Sequence, residues 1–139
     1  MANTHNGKRD AFDVRILRQD GPGQASYWQR FRVPYEHDMN VISVLQKIAA
    51  MSETADGQQV APVAWDCNCL EEVCGACTML VNGRTRQSCS ALVDRLLEEQ
   101  PEYIELQPMT KFPVLRDLVV DRSRLFRALS KVKGWIPVD

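Results

Sequence analysis

With 139 residues, 45% of them hydrophobic and 25% charged, the chain has the makeup of a soluble globular protein: one domain of ordinary size, with room for an appendage. No apolar run approaches the ~20 residues a membrane-crossing helix needs, which excludes a direct span. The net charge of −1 conceals 10 Lys+Arg against 15 Asp+Glu in residues 1–110, and 7 against 3 in residues 111–139. The basic residues are not interleaved with stacking aromatics, so nucleic acid is excluded as a partner.

Residues 1–10 are polar, have no apolar core of a secretory signal, and read as a disordered start. Phe12, Val14 and Ile16 alternate with Asp13 and Arg15, which predicts a half-buried strand. After the turn cluster Gly21-Pro22-Gly23, a second strand is expected with Tyr27, Phe31 and Val33 on one face and Arg30 and Arg32 on the other, closing a hairpin. Asp38 or Asn40 can cap a helix in which Val41, Val44, Leu45, Ile48 and Met51 form one apolar stripe, and Asp56-Gly57 ends this unit. A cysteine-rich loop then runs into a strand from Thr78 to Val81. Asn82-Gly83 supplies a tight turn and Thr85 to Gln87 the return strand. A short helix over residues 91–100 and a last strand from Tyr103 to Leu106 complete the body.

Beyond Pro108 the character changes. Residues 111–117 read as an extended connector, because Pro113 disfavours helix just before it. Asp121 can cap a final helix with Leu125, Leu129 and Val132 in a stripe that Phe126 widens. Lys131 and Lys133 suit its last turn and Gly134 its C′ position. Such a helix needs something to lie against, either the body or a partner. The expected fold class is therefore α+β: a β-grasp domain of the plant-type ferredoxin kind over residues 11–108, with connector and amphipathic helix over 109–139.

The chemistry lies in Cys69-x4-Cys74-x2-Cys77-x11-Cys89. Three cysteines crowd one loop and the hairpin returns the fourth, which is the plant-type [2Fe–2S] spacing. Small Gly75 and Ala76 let the backbone approach a cluster and turn its N–H groups to sulfur. Two other readings stay open. Structural zinc favours paired short C-x2–4-C knuckles, and Cys89 has none, nor a nearby His. A disulfide framework fits poorly with five cysteines in a chain of this size. Cys67 stands two residues before the first ligand and reads as a free thiol, or else as an exchangeable ligand or oxidation sensor. His5 and His37 lack partners at ligand spacing. Asp66, Glu71 and Glu72 ring the loop with negative charge.

The stretch from Trp65-Asp-Cys-Asn-Cys69 to Cys77, and on through Asn82-Gly-Arg-Thr-Arg-Gln-Ser-Cys89, resembles the iron–sulfur subunit of succinate dehydrogenase and fumarate reductase. So do Pro108 to Asp121 and the helix ending in Lys133-Gly-Trp-Ile-Pro. Within the family the likeness is to the bacterial, menaquinone-associated type, and it covers nearly everything from Phe12 onward. The resemblance implies that Cys69, Cys74, Cys77 and Cys89 ligate the [2Fe–2S] cluster. It also implies electron transfer between a flavoprotein subunit carrying FAD and a quinone, with a cytochrome b-type membrane anchor as further partner. The place implied is the cytoplasmic face of the bacterial membrane, peripherally bound. Family members continue into a helical domain holding [4Fe–4S] and [3Fe–4S] clusters. No cysteine follows Cys89, so this chain is expected to be the N-terminal portion of such a subunit or one piece of a split one. The competing functions are a stand-alone [2Fe–2S] ferredoxin, the small subunit of a molybdenum hydroxylase (which would need four further cysteines) and a zinc-binding β-grasp module without redox activity.

Overall fold

The computed structural model describes residues 9–135, so the expected disordered start lies almost wholly outside the described residues. Strand β1 (Ala11–Arg18) alternates half-buried and buried positions along its whole length, as its sequence alternation dictates. It pairs antiparallel with β2 (Tyr27–Pro34), from Ala11 opposite Pro34 to Arg18 opposite Tyr27. Helix α1 (Val41–Met51) follows. Of the two candidate caps it uses Asn40, whose side chain accepts a hydrogen bond from the Ser43 N–H. Ser52, left-handed at φ 50°, ends the helix ahead of the Asp56-Gly57 turn.

After a long loop come β3 (Thr78–Val81) and β4 (Arg84–Gln87), joined by Asn82 and Gly83 at φ 48° and 74°. Positive φ at both central residues is what a two-residue hairpin turn requires. Helix α2 (Val93–Glu99) leads into β5 (Tyr103–Gln107). The sheet order is β2-β1-β5-β3-β4, with β5 parallel to β1 and antiparallel to β3. The last of these five strands in sequence is thus the central one in space. Phe12, Val14, Ile16, Phe31 and Val33 of the first hairpin share one buried core with Val44, Leu45 and Ile48 of α1, Met79 and Val81 of β3, Leu96 of α2, and Ile104 and Leu106 of β5. The predicted α1 stripe is core, with Met51 packed at its margin.

The segment expected as an extended connector carries a small second sheet, β6 (Val114–Arg116) with β7 (Val119–Val120). Its turn is tied to the body. Arg18 and Asp117, 2% and 0% exposed, form a two-point ion pair, Nε to Oδ1 at 3.1 Å and Nη2 to Oδ2 at 2.9 Å. Arg18 also donates to Gln29 Oε1 and to the carbonyls of Ala61 and Pro62. Asp117 also accepts from the N–H groups of Gln19 and Ala64. Every charged atom of this pair has partners, the condition under which burying two charges is tolerable.

Helix α3 (Ser123–Lys131) has Arg122 at its N-cap, without a side-chain cap bond, and not the expected Asp121. Asp121 stands one residue earlier, where its carboxylate accepts from the Ser123 N–H at 2.8 Å and is held below its usual pKa by that bond. Its end differs from expectation. Lys133 (φ 51°), not Gly134, takes the left-handed conformation, and the Gly134 N–H returns to the Leu129 carbonyl. None of its residues is buried: Leu125, Phe126, Leu129 and Val132 lie exposed, so the body is not what its stripe lies against.

Candidate metal centre

Residues 69–77 wind around their own sulfur atoms. The Cys74 N–H donates to Cys69 Sγ at 3.3 Å, the Glu71 N–H to Cys69 Sγ at 3.4 Å, the Ala76 N–H to Cys74 Sγ at 3.4 Å and the Cys69 N–H to Cys74 Sγ at 3.5 Å. Left-handed residues at Leu70 (φ 59°), Glu72 (φ 60°) and Gly75 (φ 73°) make this winding possible. For leucine that conformation is uncommon and strained, and strain of this sort persists only where the surroundings impose it. Gly75 adopts it without penalty.

The β3–β4 hairpin then delivers Cys89, as the gap of eleven residues after Cys77 requires. The Ser88 N–H donates to the Cys77 carbonyl at 3.2 Å and pins the two arms together, while Asn40 Nδ2 holds the Cys89 carbonyl at 3.0 Å. Cys77 and Cys69 lie close enough to the Cys89 thiol to help raise its pKa. All four predicted ligands thus converge at one edge of the sheet, with Cys77 buried, Cys69 and Cys89 half-buried and Cys74 exposed. Ser88, fully buried beside Cys89, has a hydroxyl without a hydrogen-bond partner among the described residues.

The local field suits thiolates. Backbone N–H groups of Cys74, Glu71 and Val73, then the Cys74 side chain, pull the Cys69 thiol from its ordinary value down to about 7, against a small opposing effect of burial. Burial pushes the Cys89 thiol up, the neighbouring Cys77 adds to that, and the Glu72 backbone offsets part of it. Iron, or any soft metal, binds the deprotonated form, so the loop is prepared for ligation on its outer side.

Among the described residues no three cysteine sulfurs lie within 4.8 Å of one another, and the donor set, four thiolates, is the one a [2Fe–2S] cluster takes. Cys67 is exposed and outside the winding. The acidic ring of Asp66, Glu71 and Glu72 is exposed; Glu72 is engaged as well, its carboxylate accepting from Ser90 Oγ and its backbone carbonyl from Gln87 Nε2. His37, expected without partners, lies 3.5 Å from Asp38 and 3.4 Å from Asp94. These are surface contacts of small weight. His5 lies outside the described residues.

One contributor was not foreseen. Arg122 reaches back from the start of α3 to donate to the Gly75 carbonyl at 2.7 Å and the Ala76 carbonyl at 2.8 Å. Nothing local marks it among seven basic residues after position 110. Arg18 did leave a signal, since it shares the parity of Phe12, Val14 and Ile16 and so belongs to the buried face.

Comparison with known proteins agrees with this geometry. A sequence model described as the 2Fe-2S iron-sulfur cluster binding domain matches residues 13–127. The chain is 54% identical over 124 residues to the succinate dehydrogenase iron-sulfur subunit of Bacillus subtilis, covering 89% of this chain and 47% of that protein. It is 30% identical over 112 residues to the fumarate reductase iron-sulfur subunit of Mycobacterium tuberculosis, covering 81% and 41%. Among solved structures, the apo form of the Mycobacterium smegmatis Sdh1 complex matches with TM-score 0.71 and 25% identity, over 92% of this chain and 47% of that one. The chain spans about half the length of the curated relatives it matches.

Proposed function

The chain belongs to the family of 2Fe–2S iron–sulfur cluster binding domains, and from that premise we propose that it is the electron-transfer portion of the iron–sulfur subunit of a succinate:quinone oxidoreductase. Its cofactor is a [2Fe–2S] cluster, and its relatives are iron–sulfur subunits of succinate dehydrogenases and fumarate reductases. In this reading Cys69, Cys74, Cys77 and Cys89 are the ligands. The observation that carries it is the winding of residues 69–77, which turns backbone N–H groups onto ligand sulfurs while the hairpin returns Cys89 to the same place. Residues 11–108 are the cluster-bearing unit, and 109–139 the connector and helix.

When bound, the cluster supplies a redox centre that takes and gives single electrons. The chain's own residues hold it and set its surroundings. Cys77 anchors the buried side and Cys74 the exposed one. Leu70 and Val73, 50% and 80% exposed, give the rim an apolar surface that a partner can cover and keep dry. That partner is a flavoprotein subunit carrying FAD, where succinate or fumarate is handled. On the far side stand a cytochrome b-type anchor and a quinone, menaquinone by resemblance. No helix among the described residues is long and apolar enough to cross a membrane; in this reading the subunit is peripheral, on the cytoplasmic face by resemblance.

The test is anaerobic purification with iron and sulfide assays, and EPR spectra before and after dithionite. Two irons, two sulfides, a silent oxidised form and a rhombic signal on reduction support the reading. Zinc in place of iron, in cells with intact cluster assembly, overturns it. Appearance of that signal on adding succinate to the assembled complex tests the second half; its absence there leaves a ferredoxin serving another donor.

A further inference from the structure

Arg122 stands at the junction between the cluster loop and the helix that follows the small sheet. Its two contacts, 2.7 and 2.8 Å, are short and charge-assisted, one from each terminal nitrogen of the guanidinium. What they touch matters more than their length. The Gly75 carbonyl and the Ala76 N–H belong to one peptide group, and that N–H donates to Cys74 Sγ. The Ala76 carbonyl likewise shares its peptide group with the N–H of Cys77, a ligand in the proposed set. A positive charge on the oxygen end of an amide strengthens the donor at its nitrogen end. Gly75 O is already crowded with donors, taking Thr78 N–H at 3.2 Å and Thr78 Oγ at 2.8 Å as well.

We propose that Arg122 is a positioning residue for the cluster: it locks the Gly75–Ala76 and Ala76–Cys77 peptides and polarises the Ala76 N–H that donates to Cys74 Sγ, so that the reduced form is stabilised and the reduction potential raised. The inference rests on the ligand set proposed above. The physical reason is the sign of the charge change. One electron taken from an external donor adds one negative charge to the cluster and its thiolates, and moves no proton. Donors and cations aimed at those sulfurs therefore favour the reduced state. Arginine suits the position because its planar fork serves two carbonyls at once, which a lysine ammonium does not do in the same geometry. The contact spans 46 and 47 residues of sequence, so the helix segment and the loop answer to one another.

The experiment is an EPR-monitored redox titration, with mediators, of the cluster-loaded chain and three variants. Arg122→Gln removes the charge and one arm of the fork. At a fixed ambient potential near the midpoint, its ratio of reduced to oxidised cluster is expected to fall about tenfold, equal to 59 mV for one electron. Arg122→Lys keeps the charge and is expected to fall between wild type and Arg122→Gln. Arg127→Gln removes an equal charge from the same helix, where the guanidinium donates to Ser123 Oγ, its one hydrogen bond among the described residues, and is expected to change the ratio less than twofold. If Arg122→Gln fails to load a cluster, the comparison of Arg122→Lys with Arg127→Gln decides. An unchanged potential in Arg122→Gln with a lowered melting temperature would make the residue a mere tether and overturn the proposal, as would an equal shift from Arg127→Gln. Failure of the wild-type chain itself to load [2Fe–2S] is a different outcome and sinks the ligand assignment instead.

Discussion

In the body, β1 and β2 bury Phe12, Val14, Ile16, Phe31 and Val33 in one core with Val44, Leu45 and Ile48 of α1, whereas residues 69–77 bury only Cys77. Each fully buried aliphatic or phenyl side chain contributes about 1.5–3 kcal/mol, and the body has many. The loop has four N–H···S contacts and three left-handed residues, two of them not glycine. One region is held by removing carbon from water and needs no metal. The other is shaped by polar backbone and is completed by ligation. A protein that must carry a charge-changing cluster gains from this division: the framework stays rigid while the donors around the sulfurs set the site's chemistry.

The comparison breaks most visibly at the ligands. Cys74→Ser or Cys89→Ser is expected to abolish or distort the [2Fe–2S] signal while far-UV circular dichroism of the body persists, and Cys67→Ser to leave the signal largely intact. Normal spectra from Cys74→Ser, or a lost cluster in Cys67→Ser, would sink the assignment of those residues. Next in size is the buried ion pair. Asp117→Ala leaves Arg18 charged, unpaired and 2% exposed, and is expected to destabilise the fold by about 3–5 kcal/mol in urea unfolding. A change below 1 kcal/mol would mean that the small sheet docks without it.

A smaller effect is expected where body and site meet. Asn40 caps α1 through Oδ1 and holds the Cys89 carbonyl through Nδ2. Asn40→Ala should therefore cost about 1 kcal/mol of stability through the lost cap. Chemical unfolding of apo and loaded forms would show whether ligation restores part of it. The most delicate contrast lies within the site. The Cys69 thiol is lowered to about 7 by backbone donors and the Cys89 thiol is raised by burial. Since the thiolate is the reactive form, iodoacetamide should label Cys69 of the apo chain half-maximally near pH 7. Cys89 should need a pH above the ordinary thiol value. Superimposable pH profiles for the two would contradict the difference in their surroundings.

Much of this was legible locally. Alternation placed β1 and β2, the stripe from Val41 to Met51 placed α1, and Asn82-Gly83 placed the β3–β4 turn, each because side-chain direction repeats with a fixed period along one element. The convergence of the cysteines was legible too, since a hairpin of that length can only come back to where it left. The end of α3 was misread at Gly134 because a single left-handed residue is enough, and Lys133 supplies it. The small sheet was missed because three-residue and two-residue strands are too short to show a period.

The amino-acid sequence by itself determined the elements of the body and the [2Fe–2S] chemistry, since these follow from side-chain period and cysteine spacing along short stretches of chain. Only the tertiary structure decided that β5 enters between β1 and β3, that Arg18 meets Asp117 across 99 residues, and that Arg122 closes on the cluster loop. Those contacts join segments with no common period. They form where burial of the core happens to bring charge and carbonyl together, and electrostatics inside a low-dielectric interior then makes the pairing obligatory.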